Sequence, residues 1–238
     1  MTSTAGSTGA PEPLLRRFTR AERLVHRATA GLMLLCGASA ACLYVTPLAE
    51  LVGRRHLVMV AHQWSGLLLP VPLLLGLASR ALRADLGRLN RLAPYDREWL
   101  RGLRGGGRGP RPAGKFNAGQ KIWAGWIAGA VPVMAGTGLL MWFGGLLPWI
   151  PRRDAILVHD LTALAIAVVV AGHVRLALRD PGARRGMRTG WVTRRWARRH
   201  HPRWADPPVT DPTATDPTAT EPTATEPTAT GPDGRAGP

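Results

Sequence analysis

Residues 155–178 read AILVHDLTALAIAVVVAGHVRLAL, and this stretch decides the fold. It is apolar over more than the ~20 residues that a helix needs to cross a hydrocarbon core of about 30 Å. It nevertheless carries two imidazoles, His159 and His173, fourteen residues apart. A helix turns about 100° and rises about 1.5 Å per residue, so the two return to nearly the same face, about 40° off, after about 21 Å. One helix can therefore offer a histidine near each side of a membrane.

Three other windows have similar length and character: 28–48, 57–79 and 122–147. The chain as a whole, 45% hydrophobic with a mean hydropathy of −0.03, resembles a soluble protein only because very apolar and very charged segments average out. The first window is read as a retained span rather than a cleaved leader. It starts some 27 residues in, lacks a small-residue cleavage site and follows a further histidine, His26. Pro70 and Pro72 fall inside the second window and should kink it, because proline removes a backbone donor and crowds the preceding turn.

Lys and Arg are divided unequally among the connections. Five precede the first span, eleven lie between the second and third, and eleven run from Arg175 onward. The two remaining connections hold only Arg54, Arg55, Arg152 and Arg153. By the positive-inside rule both termini and the long middle loop are cytoplasmic. The net charge of +16 then reads as topology and as attraction to anionic lipid headgroups. A nucleic-acid partner is not expected, since the basic residues flank spans and no binding motif accompanies them.

Four histidines lie in or at the edge of spans: His26, His62, His159 and His173. Ionisable groups at membrane depth are costly and mark cofactor, ion or proton pathways. Depth sorts them into two pairs, His26 with His173 on the cytoplasmic side and His62 with His159 on the outer side. Imidazole suits iron, and ligation by two histidines leaves no open position, which favours electron transfer over oxygen chemistry. The expectation is two b-type haems. His56, beside Arg54 and Arg55, reads as a solvated boundary residue. His200 and His201 stand in GWVTRRWARRHHPRW (190–204), which reads as a stretch lying on headgroups through Trp191, Trp196 and Trp204.

Cys36 and Cys42 are six residues, about 9 Å, apart on one helix, too far to bond to each other, and read as small apolar residues. No C-x-x-C-H occurs, so covalent haem attachment is not expected. In the middle loop DREWLRGL (96–103) suits a short interfacial helix, whereas GGGRGPRPAG (105–114) is broken by Gly and Pro. From Asp211 to Thr230 the chain repeats DPTAT twice and EPTAT twice. With nothing apolar to bury, this tail is expected to be disordered, as are the first fourteen residues.

These motifs resemble the cytochrome b (gamma) subunit of membrane-bound respiratory formate dehydrogenases. The resemblance covers roughly Leu15 to Trp204. It rests on RFTRAERLVH (17–26), KFNAGQK (115–121), TGLLMW (137–142), the His159 to His173 spacing and the GWVTRRWARRHHPRW ending. It implies a membrane anchor for an iron–sulfur subunit and a molybdenum or tungsten catalytic subunit on the outer face, passing electrons through two haems to menaquinone on the cytoplasmic side. His62 and His159 would hold the outer haem iron, His26 and His173 the inner one. Asn117, Gly119 and Gln120 would line the quinone site. Two positions depart from the family pattern: Arg27 stands where an aromatic residue is usual, and Asp160 where a small hydroxyl is common. Asp160 would either orient a neighbouring imidazole, as carboxylates beside metal ligands do, or face water.

The sequence therefore predicts an all-α, integral-membrane four-helix bundle binding two b-type haems, with disordered termini. The cytochrome domain is expected over 15–205, after a 1–14 tail and before a 206–238 repeat tail, in a bacterial cytoplasmic membrane. The chain itself carries no formate site. The alternatives are a cytochrome b subunit of a hydrogenase or other quinone-linked oxidoreductase, and a haem-free membrane scaffold.

Overall fold

The first long helix begins where the sequence supplies a cap. Thr19 accepts from the Glu22 backbone N–H, and Glu22 accepts from the Thr19 N–H at 2.5 Å. This reciprocal box satisfies two of the helix's free donors and starts α1 (Arg20–Tyr44) eight residues ahead of the apolar window. The computed structural model describes residues 12–104 and 111–206. The repeat tail beyond Asp206, most of the expected N-terminal tail and the GGGRGP part of the middle loop lie outside the described residues.

After α1 come a short α2 (Thr46–Val52), closed by Gly53 at φ 61°, and α3 (Arg55–Leu68). The second span then breaks. A new helix, α4 (Val71–Gly76), follows Pro70 and carries Pro72 in its first turn, where a missing N–H costs nothing. The prolines thus interrupt the helix and restart it, and Arg55–Gly76 remains a single apolar crossing. Two amphipathic helices fill the middle loop, α5 (Arg80–Leu89), capped by Ser79, and α6 (Pro94–Arg104). The latter contains DREWLRGL.

The third span is α7 (Ala118–Trp142) and the fourth is α8 (Arg152–Arg179). At about 1.5 Å per residue each exceeds a 30 Å core. The four crossing helices are long and apolar enough to span a membrane, and Leu34, Leu75, Leu164, Val168 and Leu176 point outward, as lipid contact requires. The protein is a helical membrane bundle. α1 packs along α3 and α7 along α8, and these two hairpins meet through α3 and α7.

The water-excluding core lies at one end, in a cap built from both ends of the described chain. α9 (Pro181–Thr189) is capped by Asp180 and closed by Gly190. Strand β2 (Trp191–Thr193) pairs antiparallel with β1 (Leu14–Arg16), with Leu15 opposite Val192. α10 (Arg194–His200) and α11 (Pro202–Ala205) complete it. Glu12 and Pro13 also accept backbone N–H groups of Arg195 and Arg194, so the folded chain begins ahead of Leu15. Val192 and Ala197 are fully buried, with Leu15, Trp196 and Trp204 packed on them.

This corrects the reading of GWVTRRWARRHHPRW as a surface stretch. Trp191 is exposed, but Trp196 turns inward. Its Nε1 donates to Asp180 at 2.9 Å, and its ring lies 4.7 Å from the guanidinium carbon of buried Arg17. Phe18 and Trp204 also flank that cation, and burial lowers the Arg17 pKa to about 10. Cation–π contacts of this kind strengthen when desolvated. His201 is buried as well, its Nδ1 donating to the Gly114 carbonyl at 2.7 Å. Burial, helped by the Arg17 charge, lowers its pKa to about 3, so it stays neutral.

Candidate functional site

The seam between the two hairpins holds the imidazoles. His26 on α1 faces His173 on α8 with ring centres 6.3 Å apart, and His62 on α3 faces His159 on α8 at 6.2 Å. The structure brings together the same two pairs that depth in the sequence selects. The other three histidines stand apart from the seam: His56 is exposed at the start of α3, and His200 and His201 belong to the cap.

The spacing is a test of what could lie between the rings. A metal–imidazole bond of about 2.0–2.1 Å, plus about 1.2 Å from nitrogen to ring centre on each side, separates two axial ligands by about 6.4–6.6 Å. Both pairs fall within a few tenths of an ångström of that value. Among the described residues no group of three or more His, Cys, Asp or Glu could hold a bare metal ion. Two facing imidazoles, joined by no third His, Cys, Asp or Glu among the described residues, suit a metal whose remaining ligands come from a planar macrocycle, as in haem.

The His62 and His159 rings are anchored from behind. His62 Nδ1 lies 3.0 Å from Ser39 Oγ and 3.2 Å from the Cys36 carbonyl. His159 Nδ1 lies 2.9 Å from Thr137 Oγ1. With Nδ1 engaged, Nε2 is the nitrogen left for the seam. Cys36 does more than fill space, since its sulfur lies 3.1 Å from Ser65 Oγ, and Ser65 in turn donates to the His62 carbonyl. At the other pair, His173 stacks on Trp123 with ring centres 5.3 Å apart and planes 30° off parallel.

Asp160 has no hydrogen bond to an imidazole among the described residues. It accepts from the Tyr44 hydroxyl at 2.7 Å, tying the end of α1 to the start of α8. Arg27, the other departure, donates to the Arg188 carbonyl at 3.1 Å, where Arg23 also donates. Both close the C-terminal end of α9, where cations complement the helix dipole.

KFNAGQK forms the entrance to α7. Asn117 Oδ1 accepts from the Gln120 N–H at 2.9 Å, and Gln120 Oε1 accepts from the Asn117 N–H at 3.0 Å. Gly119 lies against Trp99, where a Cβ would come within 3.1 Å of the indole. Trp123, on which His173 stacks, follows Gln120 by one turn. The lysines tie the motif to the middle loop. Lys115 Nζ bridges Asp85 at 2.7 Å and Glu22 at 3.2 Å, and burial with the neighbouring Glu22 raises the Asp85 pKa to about 7 against the pull of Lys115. Lys121 pairs with buried Asp96 at 2.6 Å.

Sequence reasoning missed Ser39, Thr137 and Trp123. Thr137 opens TGLLMW and Trp123 follows KFNAGQK by two residues, so proximity to motifs was the available signal for both. Ser39 offered none.

Residues 17–205 match the family described as prokaryotic cytochrome b561. Among curated relatives, the chain is 30% identical over 157 residues to the formate dehydrogenase cytochrome b556 subunit of Haemophilus influenzae, covering 63% of each protein. It is 33% identical over 87 residues to the nitrate-inducible formate dehydrogenase cytochrome b556(Fdn) subunit of Escherichia coli K12, covering 35% of this chain and 40% of that protein. The matched region is thus under two thirds of each relative's length.

Proposed function

The chain belongs to the prokaryotic cytochrome b561 family, and from that premise we propose that it is the membrane-anchoring electron-transfer subunit of a respiratory formate dehydrogenase, passing electrons from an iron–sulfur partner subunit through two b haems to menaquinone on the cytoplasmic side. The observation that carries this reading is the two imidazole pairs at 6.3 and 6.2 Å across one seam. Support for the formate assignment comes from the names of the relatives. Formate chemistry itself belongs to a molybdenum or tungsten catalytic partner. The uneven division of Lys and Arg supports a cytoplasmic side for both termini, the cap and the α5–α6 loop in a bacterial inner membrane.

Haem bound at each pair supplies one-electron oxidation and reduction. The chain would supply imidazole nitrogens to each iron and hold them at fixed separation on rigid helices. About 21 Å along α8 separates the two sites, one near each surface. The quinone binds beside the His26–His173 pair, against the start of α7. Asn117 and Gln120 spend their oxygens on the capping box, so their amide nitrogens are the donors for a quinone carbonyl. Gly119 lets Trp99 close against this entrance, where a Cβ would come within 3.1 Å of the indole, and completes the lining of the quinone site. Electrons moving inward work against an inside-negative potential, about 2.3 kcal/mol per charge per 100 mV, and proton uptake from the cytoplasm makes that movement conserve energy.

The capping role makes a clean test possible. Asn117→Asp and Gln120→Glu keep the capping oxygens and remove the amide donors. In stopped-flow spectra of the complex purified in mild detergent, both should slow reoxidation of the haems by a menaquinone analogue while leaving their reduction by the partner subunits fast. Unchanged reoxidation in both variants moves the quinone site elsewhere. The subunits that co-purify decide between formate dehydrogenase and a hydrogenase or another quinone-linked oxidoreductase.

A further inference from the structure

The two imidazole pairs sit in different surroundings, and the difference follows from where two hydroxyl protons go. Ser39 Oγ donates back to its own helix, with the Leu35 carbonyl at 2.7 Å and the Cys36 carbonyl at 3.0 Å. Thr137 Oγ1 does the same toward the Val133 carbonyl at 2.7 Å and the Met134 carbonyl at 3.2 Å. Ser and Thr inside helices commonly bond to the carbonyl one turn back. A hydroxyl has a single proton. Once that proton is committed to a carbonyl, only lone pairs are left to face the histidine. The Cys36 carbonyl, 3.2 Å from His62 Nδ1, can likewise only accept.

Among the described residues every group set against Nδ1 of His62 and His159 is therefore an acceptor, so both rings carry their proton on Nδ1 and present a bare Nε2 to the seam. Donation from Nδ1–H pushes electron density toward Nε2 and strengthens it as a ligand. A stronger donor stabilises the oxidised metal more than the reduced one. At the other pair the neighbour of His173 is the face of Trp123, which offers a ring nitrogen no lone pair in the plane of the imidazole.

We propose that Ser39 and Thr137 are positioning residues that fix the Nδ1–H tautomer of His62 and His159 and hold the reduction potential of that site below that of the His26–His173 site. Electrons then run downhill from the first pair to the second, the direction the proposed function requires. The inference rests on the reading of the four histidines as haem ligands.

Redox titration of the purified, haem-loaded full chain, followed in the visible spectrum, tests both levels separately. His173→Ala should leave a single haem, and that haem should titrate at the lower of the two wild-type potentials. Ser39→Ala and Thr137→Val should each shift the lower potential upward and leave the higher one in place, whereas Thr137→Ser, which keeps the hydroxyl, should restore the wild-type value. Both haems retained in His173→Ala would overturn the ligand assignment itself. A surviving haem at the higher potential leaves that assignment standing and overturns the proposed order. An unchanged or downward shift in Ser39→Ala and Thr137→Val overturns the role of the hydroxyls. A Thr137→Val chain that loses haem leaves Ser39→Ala to decide, since that change removes one oxygen only.

Discussion

Replacing Lys121 by Met probes the buried ion pair that ties α6 to the entrance of α7. Lys121 Nζ lies 2.6 Å from Asp96 Oδ2, with the two side chains 5% and 1% exposed. The ammonium also donates to the Arg91 carbonyl at 2.9 Å and lies 5.2 Å from the centre of the Tyr95 ring. Asp96 Oδ2 has one further donor, the Ala93 N–H at 2.7 Å, while its buried Oδ1 has no hydrogen-bond partner among the described residues. Lys121→Met therefore leaves a carboxylate out of water with one backbone N–H to hold it, and breaking a buried pair from one side costs about 3–5 kcal/mol. Asp96→Leu strands the ammonium and should cost a similar amount. The double variant strands neither charge, and apolar replacement of a whole buried pair is often close to neutral. A double-mutant cycle should accordingly give a coupling of at least about 3 kcal/mol between the two positions. The assay is denaturant unfolding in mild detergent, followed by far-ultraviolet circular dichroism. Additive losses in the double variant, or single losses below about 1 kcal/mol, would refute the reasoning, because they would mean that the pair is hydrated or that the carboxylate has other support.

Three further outcomes are expected. His201 has a folded pKa of about 3 against an ordinary 6.5, so only the unfolded chain takes up its proton as the pH falls between those values. Stability should be level in this respect above about pH 6.5 and decline below it by up to about 1.4 kcal/mol per pH unit, and unfolding curves of His201→Asn should lack that share of the slope. Gly190→Ala forces a side chain into φ +93° with its Cβ 2.5 Å from the Phe18 carbonyl oxygen. It should cost about 1–3 kcal/mol and lower the thermal midpoint of the cap, whereas Gly87→Ala, whose Cβ meets open space, should not destabilise. Thr19→Ala removes the capping oxygen of α1 and should cost about 1 kcal/mol, with Thr19→Ser near the parent in the same unfolding assay.

Much of the architecture was legible because hydropathy and proline act locally. The four crossings follow from runs of apolar residues whose backbone must satisfy itself inside lipid. Pro70 and Pro72 marked where the second span would be disturbed, because a missing N–H has a local effect in any fold; the expected kink is a break and restart between α3 and α4. The pairing of His26 with His173 and of His62 with His159 was also readable, since a helix of known rise in a slab of known thickness converts residue number into depth.

The cap was not legible, for a different physical reason. β1 and β2 are three residues each and join positions more than 170 residues apart, too short for a periodic pattern and too distant for a turn signal. Arg, Trp and His in GWVTRRWARRHHPRW have a composition that suits headgroups as well as it suits an aromatic box around Arg17. Which of the two occurs depends on whether RFTRAE arrives to supply the cation. The roles of Ser39 and Thr137 had the same status: a small hydroxyl in an apolar helix bonds to its own backbone in any case, and only the register of the neighbouring helix decides whether its remaining lone pair meets an imidazole. The sequence by itself thus determined which segments are long and apolar enough to cross a membrane and how far apart the histidines lie along them, because both are set along one helix. The tertiary structure alone decided what stands behind each imidazole and how the chain ends close over the bundle, because those contacts are made between helices and strands distant in the chain.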